Sequence, residues 1–336
     1  MKKSTAIVLL VLALFFIAAG VILGVTEGFT PGRTEDALHS RDCTQIQACV
    51  DDVELCFYAI SGDTLDVEIY DTNRVALDTD NGVLTITQRG ETLWDRLRFF
   101  RRSRGRVVVW VPEGQIRAIT VESGSGDVTA SGLPEGSAAV KITTGSGEVS
   151  VYDCTLSALT VSTGSGGIWA GELTVREEMN IRVSSGSISL SDTRAGRAEL
   201  TSASGDVWLG VMDAGEALTV KTASGEVSVS QCSAKTALLQ TTSGGVWAEE
   251  LTGEESLGVS ATSGNVTLTL PETEDLRIET TSGDVWCSLP GAREDYEISA
   301  ETGSGTVSGV RGDSGAGTKK VSVTTTSGDV LLEYAN

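Results

Sequence analysis

Four tryptophans recur at a fixed interval: Trp169, Trp208, Trp247 and Trp286 lie 39 residues apart. A row of flat aromatic faces suits stacking against sugar rings or docking of a partner protein. The competing reading is packing, with each indole lying over neighbouring strands. A second concentration of chemistry is the segment LWDRLRFFRRSRGR, residues 93–106, with six arginines and three aromatics in fourteen residues. Trp94, Phe99 and Phe100 would sit at lipid headgroup depth, and Arg96, Arg98, Arg101, Arg102 and Arg104 on phosphates or on an anionic wall polymer. A solvated loop between strands explains the same residues equally well.

Catalytic chemistry finds little material. The single histidine, His39, precedes the repeats, which leaves no base for a Ser-His-Asp or Cys-His site. Carboxylates are abundant but form no distinctive pair, so a polysaccharide-cleaving enzyme is the less favoured alternative. No cofactor or metal is expected. Cys43, Cys49 and Cys56 lack the spacing of a zinc site, and one disulfide among them is an open alternative outside the cytoplasm. Cys154, Cys232 and Cys287 fall at inward positions of the repeat and read as small buried hydrophobes.

The elements that must position these residues are repeats. From residue 119 onward one phrase recurs: an alternating apolar strand, Ser-Gly, one variable residue, then Val or Ile. The glycines are Gly126, Gly147, Gly166, Gly186, Gly205, Gly225, Gly244, Gly264, Gly283, Gly305 and Gly328, spaced by 19 to 23 residues. A fixed period of this length marks a stacked solenoid, because one unit cannot bury its apolar face alone. With the glycine as position zero, inward residues stand at −7, −5, −3, +2 and +4. The parity change across Ser-Gly is read as a corner between two sheets, where a residue without Cβ fits best. The serine at −1 is expected to form a hydroxyl row bonded along the stack. The tryptophans occupy +3, facing outward, in alternate units; stacking in chain order would space them ~9.6 Å apart, two strand separations.

The passage Val107-Val108-Val109-Trp110-Val111-Pro112, then Ile119-Thr120-Val121-Glu122-Ser123-Gly124-Ser125-Gly126-Asp127-Val128, followed by repeated T-x-SG-D/E-V units, resembles the bacterial adhesin family of β-strand-repeat proteins, a domain family of unknown function. The resemblance covers roughly residues 50–336. It implies a membrane-tethered surface protein with a right-handed β-helical body and no established enzymatic activity, with some relatives linked to envelope-stress systems.

The expected architecture is therefore all-β: a parallel β-solenoid of about eleven coils, ~20 residues per coil. Its division is a cytoplasmic tail (1–5), a transmembrane signal-anchor helix (6–25), a linker (26–50), a β-rich cap (51–112) and the solenoid (113–336). Residues 6–25 carry no charge and at ~1.5 Å per residue reach ~30 Å, the thickness of a hydrocarbon core. Lys2 and Lys3 would stay cytoplasmic and the solenoid would lie outside the plasma membrane, anchored by a single pass. A net charge of −21 argues against a nucleic-acid partner. Cell-wall polymers, glycans or another membrane protein are the partners this reading favours. It makes the chain a non-enzymatic surface interaction module, with a scaffold or sensor partner of an envelope-stress system as the alternative.

Overall fold

Stretches of alternating apolar and polar residues bury one side and form mainly parallel ladders in a computed structural model, which describes residues 35–72, 74–88, 105–133, 138–310 and 317–335. The strand Ile168–Val183 shows how one coil is made. Ile168–Gly171 pairs with Ile188–Ser191 of the next coil, Leu173–Val175 with Thr193–Ala195, and Glu178–Val183 with Arg197–Ser202. Each coil thus contributes three paired stretches separated by three corners. Ile168, Ala170, Leu173, Val175, Met179, Ile181 and Val183 all point inward and are at most 4% exposed. Repeated along the stack, this alternation makes one continuous core from Cys43 to Leu332.

The corners differ in chemistry. At the Ser-Gly corner the glycines touch: a Cβ on Gly205 would lie 2.0 Å from the Gly186 carbonyl oxygen, so close approach excludes any side chain. In several units a buried threonine at −3 fastens this corner. Thr222 donates to the Gly205 carbonyl at 3.2 Å and Thr241 to that of Gly225 at 3.3 Å. This role was expected of the −1 serines, but Ser224, Ser243 and Ser263 are exposed, and it is their backbone carbonyls that accept, from the glycine N–H groups of the preceding coil. The −1 side chain falls outside the core because the parity change comes just before it. A second corner lies at +6, where Asp153, Glu172, Asp192, Val211, Gln231, Glu250 and Leu270 all adopt φ near +50°. The third corner absorbs the alternation of spacing. Between Val175 and Glu178 two residues intervene, whereas the next coil has Gly196 alone.

From Gly126 to Gly283 the coils stack in chain order, as the period requires. At both ends the order changes. The N-terminal strands are β1 (Glu35–Ser40), β2 (Gln45–Val50), β3 (Glu54–Ile60), β4 (Leu65–Tyr70), β5 (Val75–Asp80), β6 (Val83–Gln88), β7 (Arg106–Pro112), β8 (Ala118–Ser123) and β9 (Val128–Ser131). Strand β2 lies between β6 and β8, and β3 between β7 and β9, all parallel. The earlier segment is therefore held between two later ones. At the other end Lys319–Ser327 lies between Asp275–Ser282 and Tyr296–Ser304, and Val330–Ala335 between Val285–Pro290 and Val307–Ser308. The outermost C-terminal coil is thus residues 296–308.

These pairings correct the expected divisions. The linker 26–50 includes strands β1 and β2, the latter inside the stack. The cap 51–112 supplies solenoid rungs through β3, β6 and β7, while β1, β4 and β5 make antiparallel pairings alone and cover the end. Consecutive stacking of every Ser-Gly unit also fails at Gly305, which rests on Gly328. The reason is common to both: an end strand with neighbours on both sides satisfies both rows of its backbone groups. The proposed membrane helix, residues 6–25, lies outside the described residues, among which no helix is long and apolar enough to cross a membrane.

Candidate functional site

The first coils prepare a column that runs the length of the stack. Cα partners at +3 are Thr129, Ser150, Trp169, Ser189, Trp208, Ser228, Trp247, Thr267, Trp286 and Leu331. The four indoles therefore share one face of one sheet on alternate rungs, ~9.6 Å apart along the stack. A turn of 39 residues with the indoles on adjacent rungs is ruled out, since Ser189, Ser228 and Thr267 intervene. The small intervening residues leave lateral room for each bicyclic ring. All four tryptophans are half-buried, and Leu331, 39% exposed, prolongs the apolar column.

The rings lie along the sheet, not upright on it. A Cβ on Gly210 would come within 2.6 Å of the Trp208 ring, so that indole covers the +5 glycine of its own strand. The Tyr152 ring likewise lies against Gly171. Trp169 turns the opposite way, its Nε1 3.2 Å from where a Gly167 Cβ would stand. Its indole N–H meets the Glu148 carboxylate; burial and the nearby Asp127 nevertheless push the Glu148 carboxyl above its ordinary value. The Trp208 and Trp169 rings thus pack in part against their own strands while all four indoles stay partly exposed, a mixture suited to contact with a flat apolar ligand face.

The arginine-aromatic segment, from Trp94 through Arg104, lies outside the described residues. Its neighbour Arg106 is described: it opens β7 and pairs with Glu54 at 2.9 Å. Trp110 and Tyr58, on adjacent rungs, place their rings 5.5 Å apart. All six cysteines are free, so the disulfide among Cys43, Cys49 and Cys56 does not form here. Cys49 faces outward while Cys43 and Cys56 are buried. Cys154, Cys232 and Cys287 are at most 2% exposed, and burial pushes their thiols up to about 12. His39 contacts Asp66 at 2.5 Å across the β1–β4 pair. Among the described residues no three His, Cys, Asp or Glu side chains converge as metal ligands.

The second corner was not foreseen. Val211 there is 48% exposed with φ +50°, an unusual conformation for a β-branched residue. Asp, Glu, Val, Gln and Leu share the position, so no residue type announced it.

Coils of 19–20 residues in parallel register, one threonine-braced corner and one left-handed corner define a β-strand-repeat protein of the solenoid class. The chain belongs to the Toastrack DUF4097 family, whose profile matches residues 43–210 and again 174–333. The overlap follows from the period, which lets one profile align in two registers. No curated protein matches the chain. Among solved structures it is similar to a provisionally named lipid-binding protein from Parabacteroides distasonis, at 15% identity over 76% of this chain and 97% of that one, TM-score 0.42. A provisionally named adhesin from Bacteroides fragilis aligns at 11% identity over 92% of this chain and 100% of that one, TM-score 0.27. A provisionally named cell adhesion protein from Clostridium sporogenes aligns at 12% identity over 90% and 99%, TM-score 0.23.

Proposed function

We propose that the chain is a non-enzymatic surface interaction module of the cell envelope, contacting extended partners along the tryptophan column. The observation that carries this reading is the register that sets Trp169, Trp208, Trp247 and Trp286 on one face at two-rung intervals. Four partly exposed indoles aligned on one face form an apolar row of the kind that marks a contact surface. Names given to similar proteins, adhesin and cell adhesion protein, point the same way. The apolar run of residues 6–25 supports a single-pass anchor, with the solenoid outside the plasma membrane.

A second reading, a scaffold for another membrane protein, draws support from the locked ends, which suit a stiff spacer. The test is a pull-down of the full-length protein in non-ionic detergent against wall polysaccharides, lipids and membrane extracts. Wild type is compared with the variant carrying Trp→Ala at all four positions. Loss of polymer capture in the variant supports the column; capture only from membrane extracts, unaffected by the substitutions, supports the scaffold. Shortening of the polysaccharide would return the enzyme reading.

A further inference from the structure

A groove of about 740 Å³ lies on a different paired stretch from the tryptophans, on the other side of the Ser-Gly corner. One wall is the −4 column: Ser162, Arg182, Thr201, Lys221, Gln240 and Ser260 are Cα partners on six successive rungs. The floor is open because the −2 positions carry only small side chains, such as Ala203 and Ala223. In a chain of net charge −21, the groove has two cations in its lining and no carboxylate. Beyond the groove the column continues to Glu279, Thr324 and Glu301 on one side and to Thr143 and Glu122 on the other. Glu199, two residues before Thr201 on the rung between the two cations, approaches Arg182 at 3.7 Å, too long for a strong bond, and Arg182 stays 54% exposed. Across the corner, the Asp206 carboxylate accepts the Glu226 N–H at 2.9 Å.

The spacing selects the ligand. Arg182 and Lys221 are two rungs apart, ~9.6 Å, about the length of a disaccharide in an extended glycan. A nucleic-acid duplex carries a phosphate on each strand every ~3.4 Å of its axis, some three for each cation. Thr201 between the cations, with Ser162, Gln240 and Ser260 flanking them, offers hydroxyl and amide groups that both donate and accept, one per rung. That sequence of neutral, cationic, neutral, cationic matches a polymer in which every second sugar is charged.

We propose that this groove binds an extended glycan of alternating uronate and uncharged sugars, its carboxylates seated on Arg182 and Lys221. Six rungs span ~24 Å, enough for about five sugars. The site is independent of the tryptophan column.

The probe is a fluorescein-labelled hyaluronan octasaccharide, read by anisotropy against the full-length protein in non-ionic detergent at low salt. Wild type binds, and the Arg182→Gln/Lys221→Gln variant loses at least about tenfold in affinity, the scale of one lost charge-assisted contact. Both positions are exposed, so folding is retained, and Arg182→Lys/Lys221→Arg restores binding. The fourfold Trp→Ala variant binds as wild type does. Three results overturn the proposal: no wild-type binding, equal binding by the Gln/Gln variant, or equal binding of an uncharged chitin oligosaccharide. Loss in the Trp variant with retention in the Gln/Gln variant would sink this site while supporting the tryptophan column.

Discussion

The middle of the solenoid and its two ends obey the same register rules but opposite chain orders. Between residues 118 and 290 the coils follow one another in chain order, so the contacts between them join residues about twenty apart in sequence. At the ends the terminal coils are tucked one rung inward and the outermost rungs come from internal segments. A terminal strand left at an edge would pair on one side only and fray. Placed inward, it pairs on both, and the exposed rung is tethered by chain at each end. The connections this demands, through residues 61–117 and 291–318, are inexpensive, because closure entropy grows only logarithmically with length. Side chains tie the C-terminal end as well: Tyr296 contacts Tyr334 with ring centroids 6.4 Å apart, and the Tyr334 hydroxyl donates to the Gly309 carbonyl at 2.9 Å.

The largest effect should come from breaking an inserted coil. Val323 is fully buried in Lys319–Ser327, with a neighbouring rung on either side. Val323→Asp buries an unpaired charge and should cost more than about 4 kcal/mol. Chain order would confine the damage to the last residues. Stack order requires that 296–308 also lose hydrogen-exchange protection, although they precede the mutation in sequence. Ile298→Asp, on the half-exposed outer rung, should release that rung alone. Protection of 296–308 retained in Val323→Asp would refute the insertion.

In the regular region the corner glycine is next. Gly205→Ala pushes a Cβ to 2.0 Å from the Gly186 carbonyl oxygen and should cost about 1–3 kcal/mol, measured by the midpoint of urea unfolding. The first rung turns through Asp51, Asp52 and Val53 with no glycine. A change at that corner should therefore be tolerated better, and equal sensitivity at both sites would erase the distinction.

What was legible in the sequence follows from what repeats chemically. Valines at +2, apolar pairs at −7 and −5, and the unvarying Ser-Gly gave the rung, its inward face and the tryptophan column, because burial imposes side-chain type. The left-handed corner at +6 was hidden because its backbone is set by the coils above and below, and residues as different as Asp192, Val211 and Leu270 accept it. The rung at residues 45–60 was hidden because it lacks the Ser-Gly phrase. Inversion at the C terminus left only a trace, the spacings of 22 and 23 before Gly305 and Gly328. Nothing in residue type marks Arg182 and Lys221 as lining one groove; only the register brings them together.

Acid should separate the two regions. Arg74, just before β5, reaches Asp52 at 2.8 Å, and Gln88 at the end of β6 accepts the Asp51 N–H at 2.7 Å, tying the first rung to the one outside it. Burial alone would raise the Asp52 carboxyl, but the Gln88 amide and the Arg74 guanidinium outweigh it and hold it below its ordinary value of 3.8. A depressed carboxyl stabilises the fold above its unfolded value and stops doing so as pH falls through the folded one. Acidification below pH ~3.8 should therefore loosen the N-terminal end before the regular coils, seen as early hydrogen exchange in β2 and β6. Asp52→Asn should remove that step, and a step that survives the substitution would locate its origin elsewhere.

The smallest effect tests whether the buried hydroxyl row at −3 stabilises the corner or merely fills space. Thr241 donates to the Gly225 carbonyl at 3.3 Å, long for an O–H···O bond, so each such contact is weak and its value lies in repetition. Thr241→Val keeps the volume and removes the donor; it should cost about 0.5–1 kcal/mol in urea unfolding. In the next unit Ala261 already occupies −3 without a hydroxyl. Ala261→Thr should be neutral or stabilise by up to about 1 kcal/mol if the new hydroxyl reaches the Gly244 carbonyl as its counterparts reach theirs. A neutral Thr241→Val together with a destabilising Ala261→Thr would show that the corner is held by glycine contact and backbone pairing alone, with threonine chosen only for its β-branched shape.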